Sequence, residues 1–227
     1  SYPPNNGFFA FESNYATLAP YTVLTTETVS APLVQASLPA GYSSYNLLTA
    51  LDFNAHTGYR YQESSGTEVV MESPRTLRLS PDGTVTYDGS EEIASDLYRA
   101  AGPSAVDALQ SGMELASALT ESTGASPLYL RSITTTDSGW QLNFGYCSTC
   151  LPVVFSDGED ALTITITGRT ITAFTYRCKA YAILEETSAL LPASMAMAIA
   201  SLHPGSGLSL GYVDDGGDTL SAFWLEI

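Results

Sequence analysis

Basic residues are scarce in this chain. One Lys and seven Arg stand against 24 Asp and Glu, a formal charge of −16 over 227 residues. That balance repels phosphate backbones and bare anionic lipid at long range, which argues against nucleic acid and membrane surface as partners. An acidic surface attracts basic peptides or divalent cations, or simply keeps a protein soluble. Cysteine is scarce as well: three residues are too few for a disulfide scaffold. Only two His occur, His56 among turn residues and His203 at a helix end. No GxSxG, HExxH or Ser/His/Asp order can be assembled, and no P-loop, GxGxxG or Cys/His nucleophile signature appears. Catalysis therefore has no candidate residue. No apolar run reaches about 18 residues, so nothing here reads as a membrane span. The chain opens on Ser1 with no charged leader or apolar core of a signal peptide, which fits a processed chain or a piece cut downstream of an anchor.

What is present is a composition of 44% hydrophobic and 14% charged residues, that of a folded protein whose surface relies on Ser, Thr, Asn and Gly. The Ser, Thr and Tyr richness beside a single Lys has an extracytoplasmic flavour. Short strands separated by turn residues, with about three helices, predict an α+β protein built mainly of antiparallel meander and hairpins. Residues 1–20, rich in Pro and Asn around Phe8, Phe9 and Phe11, read as an irregular arm. Residues 21–89 read as a β meander: a strand from Tyr21 to Val29, a short helix or loop over Ala31–Leu38, then strands in LLTALDF, GYRYQ, TEVVME, RTLRLS and TVTYDG.

Residues 90–183 carry helices and a central antiparallel sheet. A short helix is expected from Ser90 to Gly102. A second follows with Pro103 in its first turn and Val106, Leu109, Met113, Ala116 and Leu119 on one stripe, ended by Gly124. A strand spans Pro127–Thr134. In GWQLNFGY, Trp140, Leu142, Phe144 and Tyr146 share one face; in LTITIT, Leu162, Ile164 and Ile166 do. Gly168-Arg169 then turns into a second run over 171–183. There Ile171 falls out of phase with Phe174, Tyr176 and Cys178, which predicts a bulge at Thr172–Ala173. Residues 184–227 read as a helix from Pro192 to Leu202 and a hairpin, with Leu208, Leu210 and Tyr212 together and Phe223 and Leu225 opposite Trp224. The helix-plus-hairpin order occurs twice, which raises a repeated unit, or one continuous domain.

Few residues carry chemical promise. Cys147-Ser148-Thr149-Cys150 is a CxxC, yet it follows a strand and lacks the helix start that lowers a redox thiol's pKa. Its alternatives are a local disulfide, stabilising by roughly 2 kcal/mol on the chain-entropy model, ordinary thiols, or a redox or metal role. Zinc lacks a second ligand pair, since Cys178, His56 and His203 have no ligand neighbours at the right spacing. Cys178 reads as core. Asp214, Asp215 and Asp218, like Asp157, Glu159 and Asp160, have the oxygen ligands calcium uses, but hairpin geometry explains those turns equally and neither matches an EF-hand loop. Arg177 and Lys179 alternate on one face of the central sheet beside Arg169. They are the candidate partner-binding residues, their bland alternative being the solvated face of a strand. No cofactor and no metal are expected.

Three stretches together carry a resemblance: RTLRLSPDGTVTYDG at 75–89, GWQLNFGYCSTCLPVVF with DALTITITGRTITAFTYRCKAY at 139–181, and LSLGYVDDGGDTLSAFWLEI at 208–227. In order and spacing they resemble the extracytoplasmic domain of YycI/YycH-type accessory proteins of two-component signalling in Gram-positive bacteria, over roughly residues 45–227. The resemblance implies a parent protein with one N-terminal membrane anchor and an outward, non-enzymatic domain of sheets with packed helices. By the same implication its partner is a sensor histidine kinase or a paralogous accessory protein. No catalytic residue carries over. The chain departs from the pattern in its Cys147 and Cys150. From other classes stand a cell-surface adhesin or ligand-binding lipoprotein domain, and a thiol-disulfide oxidoreductase using those two cysteines.

Overall fold

A computed structural model describes residues 29–54, 56, 59–89, 98–201 and 208–226. The expected arm, the strand before Val29 and most of the helix expected from Ser90 lie outside the described residues. In chain order the elements are β1 (Val29–Ser37), α1 (Ser44–Ala50), β2 (Arg60–Gln62), β3 (Glu68–Glu72), β4 (Arg75–Leu79) and β5 (Thr84–Asp88). Then come α2 (Ala105–Thr123), β6 (Leu128–Thr136), β7 (Gly139–Ser148), β8 (Leu151–Phe155), β9 (Leu162–Thr167) and β10 (Thr170–Arg177). The described chain ends with β11 (Ala180–Leu190), α3 (Ala193–Ala200), β12 (Leu208–Asp214), β13 (Thr219–Leu220) and β14 (Ala222–Glu226). This is the α+β class, sheet-rich, mainly antiparallel and with three helices among the described residues.

The strands form two sheets. The larger has eleven strands in the order β14-β12-β8-β7-β9-β10-β5-β4-β3-β2, with β6 beside β7; the smaller is β11-β1-β13. Pairing of β10 with β5, Phe174 opposite Tyr87 and Tyr176 opposite Val85, fuses the meander and the central hairpins into one ladder. The chain crosses between sheets through Cys178-Lys179, from β10 to β11, and again at Ser221, from β13 to β14.

The β9–β10 hairpin closes over Gly168-Arg169, with Thr167 opposite Thr170. Its register shifts between Ile171 and Ala173, the expected bulge, so that Ile171, Phe174, Tyr176 and Cys178 are all buried. Leu142, Phe144, Tyr146, Leu162, Ile164 and Ile166 are fully buried on the same face. α2 covers that face with Ala108, Leu115, Ala116 and Leu119. Its close approach depends on Gly112, where a Cβ would stand 2.9 Å from Leu142 Cδ2. The helix begins two residues after Pro103, at Ala105. Ser104 is its N-cap, accepting from Asp107 N at 3.2 Å while the Asp107 carboxylate accepts from Ser104 N at 3.3 Å. Gly124, at φ 70°, ends it.

Several expectations are corrected. The stripe expected on α2 is rotated: Val106 and Met113 are exposed, and Ala108 and Leu115 turn inward instead, with Ala116 and Leu119 kept. In Ala31–Leu38, residues 31–37 are not helix or loop but most of β1, the middle strand of the small sheet, with Ala31, Val34 and Ala36 buried. LLTALDF is not a strand: α1 takes Leu47 and Leu48 into the core, and Leu51 and Phe53 follow them. A short apolar run fits either period, and the packing of α1 on α2 decides it. At the end of the chain Phe223 is 54% exposed, while Trp224 turns inward and donates Nε1–H to Leu191 O at 2.9 Å. No helix among the described residues is long and apolar enough to cross a membrane.

Candidate functional site

The structure places Arg177 and Lys179 at the corner where the chain leaves the large sheet for the small one. Hydrogen bonds on both sides lock that corner. Arg177 N donates to Ala161 O at 2.8 Å, Cys178 N to Gly83 O at 3.0 Å and Ser126 N to Lys179 O at 2.9 Å. Tyr146, buried completely, donates its hydroxyl to Arg177 O at 2.7 Å and accepts from Lys179 N at 3.3 Å. Position 83 has to be Gly: φ is +89°, and a Cβ would collide with Leu38 and with Cys178 O.

Beside this corner lies an open cleft of about 380 Å³. Its walls are the ends of β8 and β12, which run parallel, Val153 opposite Tyr212 and Phe155 opposite Asp214. Parallel strands end at the same rim, so the acidic turns after them stand side by side, tied by Ser156 N donating to Asp214 O at 2.9 Å. Asp157 and Asp215 enter the cleft from these turns, and Asp82 from the β4–β5 turn. Arg177 pairs with Asp157 at 2.8 Å and stacks its guanidinium 4.8 Å from the centre of the Phe155 ring. The hydrogen bond from Arg177, with one from Glu159 N, holds the Asp157 carboxyl below the usual carboxylate range. Lys179 lines the same cleft and makes no ion pair among the described residues.

Behind the wall, Asp214 is 3% exposed. It accepts from the Tyr181 hydroxyl at 2.7 Å and from Gly216 N at 2.9 Å. Burial, and then the hydrogen bond it gives Asp214, push the Tyr181 phenol well up, so it remains a donor. Three of the six carboxylates with calcium-type oxygens have partners: Asp157 pairs with Arg177, Asp214 accepts from Tyr181, and Asp160 pairs with Arg131 at 2.5 Å. Among the described residues no three His, Cys, Asp or Glu converge as a metal site.

Cys147 and Cys150 are exposed free thiols with no disulfide between them. Thr149 (φ 52°) and Cys150 (φ 63°) form the two-residue turn of the β7–β8 hairpin, which the backbone pair Ser148–Leu151 closes. No helix starts there. Cys178 is buried in the core, and burial raises its thiol pKa. His56 is exposed, Arg169 caps Ala100 O at 2.9 Å away from the cleft, and His203 lies outside the described residues.

Sequence reasoning found the two cations but not Phe155 or the union of the two acidic turns. Parallel pairing between strands almost 60 residues apart leaves no local signal. The cleft as a whole offers two cations, an aromatic face and carboxylates on the facing wall, with neither His nor Cys in its lining. It is equipped to hold a peptide or small ligand bearing charges of both signs. No protein-family model, curated protein or solved structure matches this chain.

Proposed function

We propose that this chain is a non-enzymatic, extracytoplasmic binding domain that regulates a protein partner, docked at the cleft beside Arg177 and Lys179. The observation that carries this reading is Lys179: a cation without an ion-pair partner among the described residues, next to a guanidinium already oriented by Phe155 and Asp157, on a chain otherwise strongly acidic. A cation so placed is available at short range to a single carboxylate of a partner, among Asp82, Asp157, Asp214 and Asp215 that line the same cleft and suit the partner's basic groups. The partner that the YycI/YycH-type resemblance implies is a sensor histidine kinase, with the parent protein anchored in the cell membrane. A helix followed by an antiparallel pair occurs as α2 with β6–β7 and as α3 with β12–β14, β13 intervening in the second, and supports a helix-plus-hairpin unit used twice.

Capture of the membrane-anchored parent protein from native membranes, followed by mass spectrometry, tests the reading. Recovery of a histidine kinase that falls at least about tenfold with Arg177→Glu and Lys179→Glu is the expected result. Recovery of no kinase, with the domain folded, would remove the signalling role. Recovery that charge reversal leaves unchanged would move the interface away from the cleft.

A further inference from the structure

The outer face of the large sheet differs from both the core and the cleft. Across β5, β10, β9, β7 and β6 one row of paired residues reads Thr86, Thr175, Thr163, Asn143 and Ser132. The next row, over the same strands, reads Asp88, Ala173, Thr165, Gln141 and Thr134. All of these are half-buried to exposed, in contrast to the sealed face behind them. Apart from Asp88 at the β5 end the two rows contain no ionisable group, and the Arg131 beside Tyr129 is paired with Asp160. The amides are already oriented: Gln141 Nε2 donates to Asn143 Oδ1 and Asn143 Nδ2 to Ser132 Oγ, each at 3.1 Å. Each keeps a second amide hydrogen, and every Thr hydroxyl both donates and accepts.

An aromatic ring lies at the β6 end of this array. Tyr129 sits opposite Gly145 and is 36% exposed. A Cβ at Gly145 would stand 3.1 Å from Tyr129 Cε1 and 2.8 Å from Arg131 Cδ, so the missing side chain lets the ring lie over the strand. The five strands span about 19 Å, and each turns by about 20° relative to its neighbour.

These properties select one kind of occupant. A polyanion is repelled by the net charge. A protein partner buries apolar anchors at the centre of its interface, and here the two rows offer only Ala173. A rigid planar lattice cannot follow a twisted face. A neutral polysaccharide meets every requirement: it is uncharged, flexible along its chain, dense in hydroxyls that donate and accept, and its ring C–H groups pack on an aromatic face. We propose that this face binds a neutral polysaccharide strand laid across β5, β10, β9, β7 and β6, with Tyr129 stacking on one sugar ring. This site is separate from the Arg177–Lys179 cleft and does not rest on it.

Native affinity electrophoresis of the 227-residue chain tests it, in gels containing dextran, soluble mixed-linkage β-glucan, galactomannan or, as a charged control, polygalacturonate. The expected result is retardation by at least one neutral polymer, persisting at high salt, and none by polygalacturonate. Thr163→Ala, Asn143→Ala and Tyr129→Ala, each checked for fold by circular dichroism, should weaken the binding by about tenfold in calorimetric titration. Lys179→Glu should leave it unchanged. The proposal is overturned if no neutral polymer retards the folded chain, if retardation disappears at high salt, or if the three substitutions do not affect it. Concentration-dependent self-association abolished by the same substitutions would assign the face to a second copy of the chain and also overturn it.

Discussion

The two ends of the large sheet are sealed by different chemistry. Under α2 the contact is hydrocarbon: Leu142, Ile164, Leu115 and Leu119 are at most 1% exposed. At the junction with the small sheet it is tyrosine. Tyr146 and Tyr212 are fully buried, and Tyr146 meets Tyr181 edge to face at 5.2 Å, while the equally buried Tyr176 reaches back to Thr123 at the end of α2. Tyr212 of β12 donates to Pro32 O of β1 at 2.9 Å and Tyr181 of β11 donates to Asp214 of β12 at 2.7 Å, so these hydroxyls join one sheet to the other. Hydrocarbon packing gains free energy in proportion to area and tolerates small shifts. A buried phenol adds direction, because a hydroxyl displaced from its acceptor loses the bond and stays desolvated. The difference explains why the cleft lies at the tyrosine end: there the geometry of two acidic turns and two cations has to be held, whereas α2 has only to cover.

The comparison can be broken first on the hydrocarbon side. Leu142→Ala should cost about 3 kcal/mol in urea denaturation, the transfer and cavity terms together. Because a Cβ at Gly112 points at Leu142 Cδ2, adding Gly112→Ala should restore part of that loss. Strict additivity of the two would show that α2 does not close on Leu142. On the tyrosine side, Tyr181→Phe should cost about 2 kcal/mol, since it leaves the Asp214 carboxylate buried with a single donor from Gly216. It should also weaken ligand binding at the cleft, an effect Leu142→Ala lacks at temperatures where both variants are folded.

Alkali separates the regions without mutation. Burial raises the phenols of Tyr146, Tyr176 and Tyr181 far above the ordinary value, and burial and then nearby Cys178 push Tyr42 up to about 12. A folded pKa above the unfolded value means that the unfolded chain loses its proton first. The stability these groups contribute is complete below about pH 10 and is lost as pH rises through the folded values. The urea midpoint should therefore fall from about pH 10 upward, and the buried phenols should gain phenolate absorbance only as the chain unfolds. Tyr181→Phe should flatten this fall, and Leu142→Ala should lower the midpoint equally at every pH. Early phenolate absorbance with the fold intact would show that the junction is open to water.

Local pattern disclosed much of this architecture. The alternation in LTITIT and GWQLNFGY marks the buried face, and the phase slip between Ile171 and Phe174 marks the bulge. What it missed are pairings between distant segments. β1 finds β11 some 150 residues away, and β8 meets β12 in parallel, which no turn residue announces. The same holds for the site. Arg177 and Lys179 were legible as an alternating basic pair, but their surroundings depend on the parallel pairing that brings Asp157 and Asp214 to one rim. The polar outer face was visible only as scattered Thr until register aligned it.

The smallest predicted effect concerns the turn between β7 and β8, at the tyrosine end. Thr149 and Cys150 both hold positive φ, where a two-residue hairpin prefers Asn-Gly, and a β-branched Thr is the least suited of all. Replacing Thr149→Asn and Cys150→Gly together should stabilise the chain by about 1 kcal/mol, because native strain is relieved. Thr149 Oγ1 also lies 3.2 Å from the Tyr212 hydroxyl, which in turn donates to Pro32 O. If the Thr149 hydroxyl supports that link between the sheets, the gain shrinks toward zero, and Cys150→Gly alone then stabilises more than the pair. Urea midpoints of the single and double variants decide whether the directional chemistry of the junction reaches out to the hairpin tip or ends at the buried tyrosines.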